Sequence, residues 1–341
     1  MALAMKAQWR AWATRLNLDR IIRYWLGGRG LILMLHRVAA TPGGWRGDPG
    51  LWISAETLST LIPMLRALDY QWVTLDQALA WPSRGRATRF ACLTFDDGYR
   101  DNYQVALPIL QALEVPATVY ITSGFIDGAA LAWWYGLEAI LNQHPLLILR
   151  MEDQEQRWLA TEPAQKHVAY QQACQCLRAA APAVRAQALR NLEQDYRLDF
   201  RAISLAQMLT KAMLRELAAS DLVELGAHTV SHPALSALPL AEARTEINAS
   251  KQALEAQYGV PVRHFAYPYG DRTAVNPAVQ ALAQECGFAS AVLAYGGPLQ
   301  SNADHYALPR IPFGGADSME NLRWRASGAP ALLARFRPLP A

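Results

Sequence analysis

Phe90-Ala91-Cys92-Leu93-Thr94-Phe95-Asp96-Asp97-Gly98 is an apolar run that stops at two adjacent carboxylates and a glycine. The run reads as a buried strand and Gly98 as the breaker after it, so both aspartates fall at the strand's C-terminal end. Carboxylates held side by side repel, which raises one pKa unless a cation or hydrogen-bond donor intervenes. A bound metal would resolve the conflict, and the C-terminal end of a strand is where barrel enzymes keep their chemistry. Alone, the pair is as readily a turn or helix cap, since Asp-Gly is common turn chemistry.

The surrounding pattern extends this strand to a fold. An apolar run at 31–38, a helical period at 55–68, a short strand at 72–75, the strand at 90–95, a helix at 103–113 and a strand at 117–121 alternate along the first part of the chain. Strand signals resume at 221–227, 261–267 and 308–313, with a helix at 240–258. Strands alternating with helices imply an α/β fold with a mostly parallel sheet. The stretch 128–218 is rich in Ala, Leu, Gln and Arg with few strand signals, and reads as a helical insertion. A chain of 341 residues accommodates one barrel of about 250 residues plus such an insertion. The predicted organisation is a basic amphipathic helix over 1–29, the first part of a barrel over 30–127, the insertion over 128–218 and the second part of the barrel over 219–341.

A second motif lies downstream, His228-Thr229-Val230-Ser231-His232-Pro233. Its histidines are four residues apart, so a single helical turn would put both imidazoles on one face. Two neutral imidazoles and one carboxylate, with a position left for water, suit catalytic zinc or a similar divalent ion. Taken singly, such a histidine pair is more often structural than metallic.

Together the motifs resemble those of the polysaccharide deacetylases of the NodB-homology type (carbohydrate esterase family 4), TFDDG and H-[ST]-x-x-H-P, matched by Thr94 to Gly98 and His228 to Pro233. Phe265-Ala266-Tyr267-Pro268-Tyr269-Gly270 matches the FAYPYG form of the third motif. The resemblance covers 31–125 and 222–313, with a poorly matching segment between. It implies a distorted, TIM-like (β/α)7 barrel and a hydrolase that removes N-acetyl groups from an amino-sugar in a polysaccharide, oligosaccharide or glycolipid precursor. By the same resemblance Asp97, His228 and His232 are metal ligands and Asp96 is the general base towards a metal-activated water. The Tyr269 backbone N–H would stabilise the oxyanion, and Tyr267 and Pro268 would bind substrate. The implied cofactor is a divalent ion, Zn2+ first, with Co2+, Ni2+ or Mn2+ as substitutes.

Most family members take their acid histidine from a C-terminal motif, and here no histidine follows His305. The run Leu31-Ile32-Leu33-Met34-Leu35-His36 is instead similar to the first strand of the circularly permuted branch typified by the poly-N-acetylglucosamine deacetylases, which implies His36 as general acid. A histidine titrating near neutrality suits that role. Where many members carry an arginine before the Pro-Tyr pair, this chain has Ala266, and Arg310 on the last strand is the cation expected in its place. Trp133 and Trp134 could stack on sugar rings, against the commoner use of tryptophan as core. An O-acetyl ester is a chemically easier substrate for the same site. A non-catalytic glycan-binding module of an envelope polysaccharide assembly system is a reading of another class, favoured by Ala266 and the unmatched insertion. A metal phosphoesterase would need more ligands or phosphate-cradling basic residues than the motifs supply.

A hydrophobic fraction of 52% supports a large core, and a net charge of +3 without a basic run interleaved with aromatics beyond the first segment gives no sign of nucleic-acid binding. The four cysteines are scattered, with Cys174 and Cys176 too close for an ordinary disulfide, which suits a reducing compartment. Arg10, Arg15, Arg20 and Arg23 interrupt the first apolar segment, so neither a signal peptide nor a membrane span is expected and the chain reads as cytoplasmic. Trp9, Trp12, Ile21, Tyr24 and Trp25, interleaved with Lys6 and those arginines, fit a helix lying on anionic lipid at the inner face of the membrane, a reading that gains if the substrate is a lipid-linked sugar. The competing reading is a helix packed on the barrel. Oligomeric state is not legible in the sequence.

Overall fold

The computed structural model describes residues 18–39, 45–81, 88–315 and 317–330. Its strands are β1 (Gly30–Leu35), β2 (Arg37–Ala39), β3 (Trp52–Ser54), β4 (Tyr70–Trp72), β5 (Arg89–Phe95), β6 (Ala117–Ile121), β7 (Leu146–Met151), β8 (Gln154–Leu159), β9 (Val223–Ala227), β10 (His264–Ala266), β11 (Ser290–Val292) and β12 (Ile311–Pro312). The main sheet runs β11-β10-β9-β6-β5-β1-β12, with β4 added along the first half of β5. Its paired strands are parallel. Leu308 bridges to Val292 of β11 while Ile311 pairs with Leu33 of β1, so the segment leading into β12 links the two ends of the row. Seven strands thereby curl into a distorted (β/α)7 barrel.

Period-two alternation sorts the strand residues. Leu31, Leu33 and Leu35 of β1 and Ala91, Leu93 and Phe95 of β5 join the layer beneath the outer helices. Ile32, Phe90 and Cys92 belong instead to the interior cluster with Tyr120, Ala266 and Val292. The same alternation carries Thr94 and Asp96 to the inside. The helix Ala55–Arg66 covers the outer layer with Leu58, Leu61, Ile62 and Leu65. Each such burial is worth about 1.5–3 kcal/mol. Ser54 caps that helix, its hydroxyl accepting the Thr57 N–H at 2.9 Å.

Register decides which side chains meet at the rim. β1 and β5 pair from Gly30↔Phe90 to Leu35↔Phe95, so His36 and Asp96 leave the sheet as neighbours. β6 and β9 end together at Ile121↔Ala227, and β9 meets β10 at Ala227↔Phe265, which brings His228 and Tyr267 to the same rim.

Two sequence expectations change. The strand expected at 72–75 ends at Trp72, because Thr74 and Gln77 form a capping box with reciprocal bonds of 3.2 and 3.1 Å and start the helix Leu75–Leu79. The insertion contains the expected helices, Trp134–Gln143, Pro163–Ala179, Pro182–Tyr196, Phe200–Gln207 and Lys211–Ala218, and also an antiparallel hairpin of β7 and β8. Leu147 and Leu149 of that hairpin alternate into a separate core with Tyr170 and Leu192, and leucine-rich composition disguised the period of two.

Residues 1–17, with Lys6, Trp9, Arg10, Trp12 and Arg15, lie outside the described residues, as do 40–44 of the Gly/Pro-rich loop. The helix Leu18–Leu26 is tied to the helix Met319–Ala326 by the Asp19–Arg323 ion pair at 3.0 Å, and it turns Ile21, Tyr24 and Trp25 outward. Among the described residues no helix is long and apolar enough to cross a membrane. All four cysteines are free thiols.

Candidate active site

Asp96 is 2% exposed and faces the fully buried guanidinium of Arg310. Arg310 Nη1 donates to Oδ1 at 2.7 Å and Nη2 to Oδ2 at 2.6 Å. The fork is itself held, Nε by the Leu293 carbonyl at 2.8 Å and Nη1 also by Thr94 Oγ1 at 3.1 Å. Burial alone would raise the Asp96 pKa, but the Arg310 charge and hydrogen bonds outweigh it and hold the carboxyl below its usual range. Arg310 thus supplies beside Asp96 a buried cation that residue 266, an alanine, does not. Its contact with Asp96 arises because β12 lies beside β1, and β1 beside β5.

Asp97, one residue on, has φ 75° and points its Oδ1 between two imidazoles, 3.4 Å from Nε2 of His228 and 3.4 Å from Nε2 of His232. That oxygen is buried and has no hydrogen-bond partner among the described residues. The His228 Nδ1–H donates to the Ala266 carbonyl at 2.7 Å, which fixes the tautomer and leaves Nε2 towards Asp97. Burial would lower the His228 pKa, but Asp97 and Asp96 outweigh it and raise it. His232 is pushed down to about 3, chiefly by burial, and is a neutral imidazole. Burial would raise Asp97 too, and His228, then the charges of His232 and His36, bring it well below the usual carboxylate range.

The histidine pair does not sit on a helical turn. His228 follows β9, and the loop from it to His232 has positive φ at Thr229 (65°) and at His232 itself (59°), values that a right-handed helix excludes. Thr229 Oγ1 accepts the His232 N–H at 3.0 Å, and Glu246 accepts the N–H groups of Val230 and Ser231 at 2.9 Å each. With Tyr269 at φ 61°, four non-glycine residues of this rim are in the left-handed region, where strained backbone gathers at functional sites. Three donors within 4.8 Å of one another, one of them a buried carboxylate oxygen that no N–H or O–H reaches, fit a divalent cation.

His36, half-buried, follows β1 at the same rim, and Asn102 Nδ2 donates to its carbonyl at 2.8 Å. The Tyr269 ring lies 4.8 Å from the His232 ring, with Arg178 4.1 Å from the Tyr269 ring. Tyr267 is a core residue whose hydroxyl donates to the Tyr306 carbonyl at 2.9 Å and which also lines the cavity described below, whereas Pro268 is buried and does not line it.

These groups open into a cavity of about 750 Å³ whose facing wall comes from the insertion. Trp133 and Trp134 line it and are nonetheless mostly buried; Trp134 packs 5.4 Å from the His232 ring and donates Nε1–H to the Tyr99 hydroxyl at 3.3 Å. The tryptophans are therefore core on one side and cavity wall on the other. Sequence reasoning missed His167, Gln171, Gln175 and Arg178, a polar stripe along one face of the helix Pro163–Ala179 that also lines the cavity. Its spacing of four, four and three is visible in the sequence but is the same as that of any solvated helix face.

The family model described as polysaccharide deacetylase matches residues 84–161 and 163–291. Among solved structures, the deacetylase PplD of Streptococcus pyogenes, in complex with acetate, superposes with a TM-score of 0.58 at 18% identity, over 87% of this chain and 97% of that one. IcaB from Ammonifex degensii gives 0.55 at 16% identity, over 89% and 98%. A de-N-acetylase from Aggregatibacter actinomycetemcomitans gives 0.54 at 17% identity, over 86% and 98%. At such identities the superpositions speak for the fold. No curated protein sequence matches the chain.

Proposed function

We propose, from the premise that this chain belongs to the polysaccharide deacetylase family and is a hydrolase of acetyl amide bonds on sugars, that it removes N-acetyl groups from an amino-sugar in a glycan or lipid-linked precursor, with a divalent ion, Zn2+ first, held by Asp97, His228 and His232. The observation that carries this reading is the Asp97 oxygen, buried, without a donor and equidistant from two imidazole nitrogens. A divalent ion held by these residues would supply Lewis acidity, towards a water and towards an acyl carbonyl.

Asp96 is the base in this scheme. Arg310 depresses its pKa, so it is a poor base towards bulk water and a competent one towards a water made more acidic by a cation. The same clamp fixes both oxygens in one orientation, which a general base within reach of a single water requires. His36, half-buried on the neighbouring strand end, carries the proton to the departing amine. The Tyr269 backbone N–H, in its left-handed turn beside His232, is assigned to the acyl oxygen as negative charge develops. Two features favoured a non-catalytic module, and both lose weight: Arg310 pairs with Asp96 where residue 266 is an alanine, and the family model runs through the insertion. The exposed Tyr24 and Trp25 supply the face for peripheral contact with a membrane carrying a lipid-linked substrate.

The test is acetate release from N-acetylated oligosaccharides, lipid-linked amino-sugars and O-acetylated glycans by metal-loaded protein, chelated protein and Asp96→Asn. Release from the N-acetyl substrates that chelation and Asp96→Asn both abolish is the expected result. Release confined to the O-acetyl esters would overturn the substrate assignment, and release unaffected by chelation would overturn the metal.

A further inference from the structure

The opposite end of the barrel carries a second group of potential ligands, unrelated to the catalytic rim. Asp76 in the helix Leu75–Leu79, Glu224 near the start of β9 and His264 at the start of β10 each offer one donor atom, and these lie within 4.8 Å of one another. His264 is 1% exposed, and its Nε2 has no hydrogen-bond partner although it is aimed at Asp76 Oδ1, 3.4 Å away. A buried ring nitrogen left without a partner beside two carboxylates is a costly arrangement unless something else completes it.

The surroundings resemble those of a ligand set. His264 Nδ1 is engaged by Ser290 Oγ at 2.9 Å, which orients the ring as the Ala266 carbonyl orients His228. One oxygen of Glu224, Oε2, accepts the Leu75 N–H at 3.1 Å and the Thr118 hydroxyl at 3.0 Å. Arg263, from the solvent side, holds Asp76 with Nε at 3.0 Å from Oδ1 and 2.9 Å from Oδ2. Metal ligands are commonly positioned by such outer hydrogen bonds.

We propose that Asp76, Glu224 and His264 bind a second divalent cation, which braces the floor of the barrel by joining the helix Leu75–Leu79 to β9 and β10. One imidazole and two carboxylates suit Zn2+ or Mn2+. The three segments are far apart in the chain, so a shared ion would raise the stability of the folded state through linkage.

Full-length protein is stripped with chelator, dialysed against zinc and, in a parallel arm, manganese, and the bound metal is counted by elemental analysis. Two ions per wild-type chain in at least one arm are expected, and one in an Asp97→Asn/His228→Ala variant whose catalytic ligands are gone. Adding Asp76→Asn and His264→Gln to that variant should remove the remaining ion and its metal-dependent rise in Tm. Asp76→Asn alone, at a half-exposed helix position, gives a folded control that should lose one ion and keep its acetate release. One ion in wild type and none in the catalytic-site variant, in both arms, overturns the proposal, as does a count unchanged by the Asp76 and His264 substitutions.

Discussion

On the inner wall of the barrel Asp96 has its polar partners supplied by the protein, whereas one residue later, in the loop pocket, Asp97 faces two imidazoles with an oxygen that no donor reaches. Both carboxylates are almost completely buried, so exposure does not separate them. What separates them is the partner. A guanidinium fork completes its carboxylate and holds it still, while a carboxylate oxygen set between two imidazole nitrogens forms a ligand set that a divalent cation fits. The wall fixes a side chain, and the pocket leaves a carboxylate oxygen and two imidazoles within 4.8 Å of one another.

The most damaging way to break this contrast is Asp97→Asn, which should take acetate release to background and abolish stoichiometric binding of metal at the rim. Elemental analysis that still finds the rim ion would show that the pocket does not depend on its carboxylate. Asp96→Asn comes next: the rim ion should remain while kcat falls about 10²–10⁴-fold, the usual range for a lost general base. If that variant also lost the ion, the two regions would be a single unit.

Arg310→Met should act first on stability. It leaves a buried carboxylate without its partner, a change that typically costs about 3–5 kcal/mol, measured as a shift in the denaturation midpoint. Combining it with Asp96→Asn should cost less than the two single changes together, because each already removes the same pair. Strict additivity would mean the clamp is no functional unit. The smallest expected effect is in pH. Asp96 has a folded pKa below its unfolded value of about 3.9, so its contribution is present above that value and is lost as the pH falls through the folded one. The stability margin of wild type over Arg310→Met should therefore be full where Asp96 is ionised in both chains, narrow once the buried carboxyl that has lost its cation takes up a proton, and close only below about pH 4. A margin that had already closed at pH 6 would exclude a salt bridge as its source.

Much of this site is legible in the amino-acid sequence. Asp96, Asp97, His228, His232 and His36 stand in recognisable strings, because chemistry of this kind needs particular side chains at strand ends and such ends are punctuated by glycine and proline. Arg310 was legible only as a search for a missing cation. What was not legible has specific causes. The i, i+4 spacing of the histidines suggests a helix, and only the positive φ of Thr229 and His232 shows a strained loop. The capping box at Thr74 was hidden inside an apolar string that looked like strand. The polar stripe from His167 to Arg178 looks the same whether it meets solvent or substrate, since periodicity defines a face but not what the face meets.

The amino-acid sequence by itself determined the family, the alternation that makes a barrel and the residue types that carry the reaction, because these depend on local periodicity and side-chain chemistry. Only the tertiary structure decided that Arg310, more than 200 residues from Asp96, clamps it in two hydrogen bonds, that the insertion forms the far wall of the cavity, and that Asp76, Glu224 and His264 converge beneath it. Each of these depends on which strands become neighbours and in what register, and that is settled by packing the whole chain at once.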